Sequence, residues 1–275
     1  ADLGPRGEGD RASRLPRGEG GRSGPRPGDA PTVVLGRGGD DAGLVRVPLR
    51  AGLLVIGPPR SGRSTALATI RAALTAGEPG SEPDDSSTKG PDSRPLAVPH
   101  LGTPGGPRSE VLELSELIAS ARSGGRSGAG AGPTPELAAL LRGWWASCGE
   151  AADEPVLLVD DLERVLRSWP GVDELLSGWI ERRECGERAP LVVAAVSTDA
   201  AAAGYRGAVA VLRRSAPALV LAPSTPGSTE AAGRSVLGAA DPAFPRHPGR
   251  GVLLLEEEAV PLQVGRLARR SSAEP

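Results

Sequence analysis

The segment of the chain with the clearest chemistry is a run of nine residues: Gly57, Pro58, Pro59, Arg60, Ser61, Gly62, Arg63, Ser64 and Thr65. It follows the apolar run Leu53–Ile56 and precedes Ala66–Leu74, in which apolar residues recur at close to helical spacing. A glycine-bounded loop between a strand and a helix N-terminus presents backbone N–H groups to an anion. These nine residues are therefore predicted to form a phosphate-binding loop.

Three side chains at the end of this loop have assignable chemistry. Ser64 would supply a hydroxyl ligand to Mg²⁺, and Thr65 would lie toward the α-phosphate of a nucleotide. Arg63 stands where such loops carry the lysine that reaches the β- and γ-phosphates. Arginine keeps the positive charge, but its planar fork is bulkier than an ammonium and places its donors differently. The alternative interpretation is a Gly/Pro turn followed by a capping serine.

Composition makes a short motif weak evidence in this chain, which has 39 Gly, 28 Pro and a single lysine, Lys89, among 275 residues. The tripeptide Gly-Arg-Ser occurs four times, ending at Ser23, Ser64, Ser127 and Ser235. Only the copy that ends at Ser64 has a second glycine five residues before its own glycine, and only this copy directly follows an apolar run. The position of the motif between elements, rather than its letters, supports the prediction.

Two carboxylates follow a second buried strand. The run Val156–Val159 is continuously apolar and ends at Asp160 and Asp161. This is the form of a Walker B strand, and Asp160 is predicted to hold Mg²⁺ through water. Asp161 stands where many ATPases carry a glutamate that activates water, and its side chain is one methylene shorter. The alternative interpretation is a strand end with solvated carboxylates.

A third polar position follows the apolar run Leu191–Val196, at Ser197 and Thr198. Ser197 is predicted as a catalytic-site residue that senses the γ-phosphate. The alternative is that this residue only caps the helix that follows the strand.

Apolar strands alternate with helices along the chain, which predicts an α/β fold with a mostly parallel sheet covered by helices on both faces. The predicted strands are 33–35, 44–47, 53–56, 96–98, 156–159, 191–196, 218–221 and a closing hairpin of 252–255 with 260–264. The predicted helices are 66–74, 111–121, 135–148, 172–183 and 205–214. Residues 1–31 have hardly an apolar side chain and are predicted as a disordered lead-in. Residues 32–265 are then one nucleotide-binding domain, and 266–275 a frayed tail.

The composition also restricts the class of protein. A net charge of −2 gives no general attraction to nucleic acid or to anionic membranes. Cys148 and Cys185 form neither a disulfide framework nor a metal-ligand pattern, which favours a reducing cytoplasm. No apolar run approaches the roughly 20 residues that span a bilayer, so no direct membrane insertion is expected. The chain begins at Ala1, which is compatible with a piece of a longer protein.

The segment from Leu54 to Leu67 resembles the divergent ATPase modules of actinobacterial FtsK/SpoIIIE-type proteins, a group that includes the EccC-type ATPases of type VII secretion. Further segments that resemble the same modules are Leu35–Asp41, Tyr205–Ser215, Leu219–Pro223, Pro248–Gly251 and Pro261–Val264. The resemblance implies a RecA-like P-loop domain that binds ATP and Mg²⁺ and works in a ring with other such modules. It also implies a DNA or secreted-protein substrate, and association with a membrane only through partners or missing N-terminal parts.

The sequence departs from the motor pattern of that family at Arg63 and Asp161, the two positions most closely tied to catalysis. These departures predict an ATP-binding module that is catalytically degenerate. Two alternatives stay open: an active translocase motor that hydrolyses ATP, and a fragment that serves only as a protein-interaction surface.

Overall fold

The computed structural model of the protein describes residues 31–76, 110–124, 136–148, 154–239, 243, 247–256 and 258–265. The predicted lead-in, apart from its last residue, the predicted strand at 96–98 and the predicted tail lie outside the described residues. The predicted division of the chain into lead-in, domain and tail therefore stays a prediction.

One sheet of nine strands forms the centre of the described structure. In chain order the strands are β1 (Thr32–Gly38), β2 (Gly43–Pro48), β3 (Leu53–Ile56), β4 (Val111–Glu113), β5 (Val156–Val159), β6 (Leu191–Val196), β7 (Ala218–Leu221), β8 (Arg250–Leu254) and β9 (Ala259–Val264). Their order across the sheet is β2-β1-β9-β8-β7-β3-β6-β5-β4. Strands β7, β3, β6, β5 and β4 run parallel to one another, while β8, β9, β1 and β2 continue the sheet from β7 in antiparallel pairs. The antiparallel part is thus larger than the closing hairpin that the sequence predicts.

Helices follow most strands of the parallel part. In chain order the helices of the described residues are α1 (Arg63–Ala76), α2 (Leu114–Gly124), α3 (Leu137–Ser147), α4 (Leu162–Ser168), α5 (Pro170–Glu184), α6 (Thr198–Ala203), α7 (Gly207–Ser215) and α8 (Ser228–Ala232). Helix α1 begins directly after the predicted phosphate loop.

The parallel part brings the predicted site residues to one edge of the sheet. Strand β3 lies between β7 and β6, and β6 separates β3 from β5. The registers pair Ile56 with Val196, and Val159 with Ala194. Since parallel strands end at the same edge, the segments that follow β3, β5 and β6 lie side by side there.

The sheet is covered on both faces, and this explains why its central strands are continuously apolar. Leu54 and Ile56 of β3 belong to one cluster of buried side chains, whereas Leu53 and Val55 belong to a second cluster on the opposite face. Every residue of β3, β5, β6 and β7 is buried. Successive side chains point to opposite faces of a strand, so a strand buried on both faces has no polar alternation.

Several segments differ from the sequence-based prediction, and the contacts of two of them show the reason. Val111–Glu113 begins the segment predicted as a helix, but it forms β4, because Val111 pairs with Val156 at the open side of β5. The predicted helix 205–214 begins only at Gly207, whose φ is +73°. There the carboxylate of Asp173 accepts a hydrogen bond from the N–H of Ala208 at 2.7 Å and holds the start of α7.

Candidate functional site

The predicted phosphate loop is a tight backbone turn between β3 and α1. The N–H of Gly57 donates to the carbonyl of Val196 at 3.2 Å, which joins the start of the loop to the end of β6. The N–H of Ser61 donates to the carbonyl of Pro58 at 3.2 Å. Arg60 and Gly62 have φ values of +65° and +101°, so the chain turns sharply before the helix starts.

The two glycines that bound the loop are required by its geometry. A methyl group on Gly57 would collide with the hydroxyl of Ser61 and lie 3.0 Å from Cβ of Leu221. A methyl group on Gly62 would lie 2.8 Å from the backbone nitrogen of Gly249, and its positive φ disfavours other residues. Gly249 itself donates a hydrogen bond of 2.7 Å to the carbonyl of Ser61.

The hydroxyl and the first carboxylate predicted to hold Mg²⁺ meet in the structure. Ser64 Oγ donates to Asp160 Oδ2 at 2.6 Å, although β6 lies between the strands that precede these residues, β3 and β5. Asp160 Oδ1 accepts the N–H of Asp161 at 2.9 Å, which fixes the carboxylate. Both Ser64 and Asp160 are exposed, so a metal ion has access to them.

Arg63 forms ion pairs with acidic residues of the turn between β5 and α4. Its Nη2 lies 2.9 Å from Asp161 Oδ1, and its Nη1 lies 3.5 Å from Glu163 Oε1. The Arg63 side chain is only 13% exposed, compared with 49% for Asp161 and 20% for Glu163. Arg63, at the end of the loop, and Asp161, after β5, are therefore bonded to each other.

Asp161 also has an unusual backbone conformation. Its φ of +46° and ψ of 52° place it in the left-handed region, where it precedes the first residue of α4. Aspartate tolerates this region better than most residues, at a cost of order 1–3 kcal/mol. Its carboxylate makes no capping hydrogen bond to α4 and bonds to Arg63 instead.

Ser197 lies beside these residues but uses its hydroxyl locally. Its Oγ accepts the N–H of Ala200 at 3.3 Å and so caps α6. Its own N–H donates to Glu163 Oε1 at 3.2 Å. Thr198 is 3% exposed, and its hydroxyl has no hydrogen-bond partner among the described residues. Ser197 has the capping contact that the alternative interpretation expects, and its role toward a γ-phosphate stays a prediction.

The remaining loop residues differ in exposure. Pro59, Arg60 and Thr65 are exposed, and Pro58 is half-buried. Ser61 is 6% exposed, yet its Oγ has no hydrogen-bond partner within the described part of the chain. Two residues that contact Arg63 also line an open cleft of about 550 Å³, whose lining residues are Asp161, Glu163, Arg164, Arg167, Ser197, Asp199 and Ala200.

Glu163 is a residue of this site that sequence reasoning missed. It lies in the first turn of α4, a helix of seven residues that was not predicted. The available signal was the spacing of Leu162, Val165 and Leu166, which places one apolar face over two turns. Without that helix, nothing in the sequence brings Glu163 toward Arg63.

The residues present fit a magnesium nucleotide. A buried serine hydroxyl without a partner and two glycines that leave no room for a side chain suit a loop that surrounds phosphate oxygens. No cluster of three or more His, Cys, Asp or Glu side chains suited to a metal ion occurs within the described ranges. Ser64 and Asp160 thus offer the partial ligand set typical of Mg²⁺, which takes its other ligands from phosphate and water.

The chain is similar to several solved structures. One is Thermomonospora curvata EccC (ATPases 2 and 3) in complex with a signal sequence peptide, with a TM-score of 0.51 and 18% identity over 88% of this chain and 41% of that chain. A structure described as an ATPase gives a TM-score of 0.47 and 18% identity over 86% of this chain and 87% of that one. The cytoplasmic domain of EssC gives a TM-score of 0.46 and 14% identity over 86% of this chain and 43% of that chain. No family model and no curated protein sequence matches the chain.

The likeness to EccC concerns the fold, because the identity is low. Together with the strand order and the glycine-bounded loop between β3 and α1, it confirms the predicted α/β, RecA-like P-loop fold. The chain spans less than half of the length of that EccC structure. Among the described residues, no helix is long and apolar enough to cross a membrane.

Proposed function

We propose that the chain is an ATP-binding module of an FtsK/SpoIIIE-type assembly, and that it hydrolyses ATP slowly or not at all. The observation that carries this proposal is the ion pair between Arg63 and Asp161 at 2.9 Å. The side chain that would contact the β- and γ-phosphates and the side chain that would activate water are bonded to each other.

Binding of the nucleotide would use the loop and the Ser64–Asp160 pair. The backbone N–H groups of the loop from Pro59 to Thr65, where a residue has one, and the N-terminus of α1 would hold the phosphates. Ser64 and Asp160 would hold Mg²⁺, which neutralises phosphate charge when bound. Arg63, Asp160, Asp161 and Glu163 carry a formal charge of −2, from one cation and three anions. Binding of a polyphosphate next to this charge should therefore depend strongly on the metal.

Slow turnover follows from the chemistry of the two substituted positions. Asp161 is one methylene shorter than the usual glutamate, and its carboxylate is engaged by Arg63. A general base needs hydrogen-bond reach to the attacking water, and a base bonded to a guanidinium is a weaker acceptor. Arg63 can neutralise a bound phosphate, but its planar guanidinium adjusts to the moving γ-phosphoryl group less well than the compact ammonium of a lysine does.

The proposal extends to partners by similarity alone. Residues 32–265 would form one module next to other ATPase modules in a ring, in the cytoplasm, with membrane association through partners or missing N-terminal parts. A protein substrate is supported by the EccC structure, which contains a signal sequence peptide. A DNA substrate rests on the resemblance to FtsK/SpoIIIE-type proteins.

Calorimetric titration with Mg-ATP and steady-state measurement of phosphate release test the proposal together. We expect binding without turnover above background in the unmodified chain, and a rise in turnover in the Arg63→Lys, Asp161→Glu double variant. Asp160→Ala should abolish metal-dependent binding, as should chelation of Mg²⁺, with at least a tenfold loss of ATP affinity.

Each alternative has its own outcome in these assays. Brisk turnover that Asp160→Ala abolishes would identify an active motor. Absence of binding at millimolar Mg-ATP would leave only the interaction-surface interpretation.

A further inference from the structure

Glu163 connects three segments of the site that are distant in the sequence. Its Oε1 accepts the N–H of Ser197 at 3.2 Å and lies 3.5 Å from Nη1 of Arg63. The carboxylate therefore touches the start of α1 and the end of β6 while belonging to α4. Its other oxygen, Oε2, is buried and has no hydrogen-bond partner among the described residues.

The contact between Arg63 and Glu163 is an incompletely satisfied ion pair. Nη1 of Arg63 is buried and makes no hydrogen bond within the described residues, although it lies 3.5 Å from Glu163 Oε1. Buried charged groups with unused donors or acceptors lose part of their hydration without full compensation. A phosphate oxygen would give the guanidinium the charge-assisted hydrogen bonds that it lacks.

We propose that Glu163 is a positioning residue that holds Arg63 on the carboxylates of the β5–α4 turn in the nucleotide-free protein and competes with phosphate for it. This inference rests on the proposed function, because it assumes that a nucleotide phosphate is the competing anion. The hydrogen bond from Ser197 holds the Glu163 carboxylate in place, so that Arg63 is the mobile partner. Nucleotide binding then includes the transfer of the Arg63 guanidinium from carboxylate to phosphate.

The variant Glu163→Gln separates charge from shape. Glutamine has the same length and keeps a carbonyl oxygen for the N–H of Ser197, but it removes one of the two negative charges beside Arg63, while Asp161 keeps the other. We expect Glu163→Gln to bind Mg-ATP three- to tenfold more tightly than the unmodified chain, measured by calorimetric titration.

Two controls distinguish this mechanism from general repulsion between carboxylates and phosphate. Asp199 lines the same cleft and is exposed. Among the described residues it forms no ion pair with Arg63, so Asp199→Asn removes a nearby negative charge without releasing Arg63. In an Arg63→Ala background, Glu163→Gln should leave the ATP affinity unchanged within twofold, because no guanidinium remains to be released. An equal gain in that background, or an equal gain from Asp199→Asn, would overturn the proposal, as would no gain from Glu163→Gln in the unmodified chain.

A second measurement judges the contact without nucleotide. Thermal unfolding of Arg63→Ala, Glu163→Gln and the double variant forms a double-mutant cycle, and additive effects would show that Glu163 does not hold Arg63. If no variant binds Mg-ATP, the proposed function and the competition with phosphate both fail. Non-additive effects on thermal unfolding in the nucleotide-free cycle would then still support the contact between Glu163 and Arg63. Additive effects would reject that contact as well.

Discussion

Replacing Gly57 by alanine places a methyl group inside the phosphate loop. The added Cβ would collide with Ser61 Oγ and lie 3.0 Å from Leu221 Cβ and 3.2 Å from Ser61 Cβ. Leu221 belongs to the buried strand β7 and has little room to move. Forcing an extra methyl group into a packed site costs about 1–3 kcal/mol, and the reduced freedom of the unfolded chain offsets about 0.4–1 kcal/mol.

The expected net loss is about 1–2 kcal/mol in the free energy of unfolding. With a urea dependence of about 2 kcal/mol per molar, the unfolding midpoint should fall by roughly 0.5–1 M. Because the loop must shift to accept the methyl group, we also expect the affinity for Mg-ATP to fall by at least about tenfold, or about 1.4 kcal/mol.

The matched control is Gly178→Ala in α5, where an added Cβ meets no atom within 4 Å other than the adjacent backbone of its own helix. An alanine inside a helix should raise the free energy of unfolding by about 0.5–1 kcal/mol and leave nucleotide binding unchanged. Adding Ser61→Ala to Gly57→Ala removes the most severe collision and should restore part of the lost stability. An unchanged midpoint in Gly57→Ala, with Gly178→Ala behaving as expected, would refute the packing described for the loop.

Two further predictions concern buried groups. Ser61→Ala removes a buried hydroxyl that has no hydrogen-bond partner among the described residues. We expect the nucleotide-free protein to keep its stability or gain up to about 1 kcal/mol, and the affinity for ATP to fall at least threefold. Thermal unfolding measures the stability and calorimetry the affinity, and a clear loss of stability would contradict this prediction. Burial, with a smaller effect of the Glu110 carboxylate, raises the pKa of Cys148 from 9.0 to about 11. The folded chain then keeps this thiol protonated where the unfolded chain ionises, so the free energy of unfolding should fall from about pH 9 to about pH 11. Cys148→Ala should flatten that decline in urea titrations, and an identical pH profile would speak against the burial.

Local signals in the sequence were sufficient for much of the fold. The continuous apolar runs at β3, β5, β6 and β7 predict strands covered on both faces, and the structure has all four. The sequence predicts a helix at 111–113 because these residues run directly into Leu114, Leu117 and Ile118, which have helical spacing, and only pairing with β5 makes the run a strand. The short helix α6 has six residues, too few for a clear helical period, and α4 has seven residues with only three apolar positions to mark its period.

The sequence by itself determined where the chemistry-bearing residues stand relative to their own elements. A glycine-bounded loop after a strand and carboxylates at the end of another are properties of a few adjacent residues, so they can be read without the fold. Tertiary structure alone decided which of these residues meet. Arg63 and Asp161 are 98 positions apart, and β6 lies between the strands that precede them. Whether a guanidinium reaches a carboxylate depends on strand order and on a few ångströms of side-chain reach, and neither is encoded in local spacing.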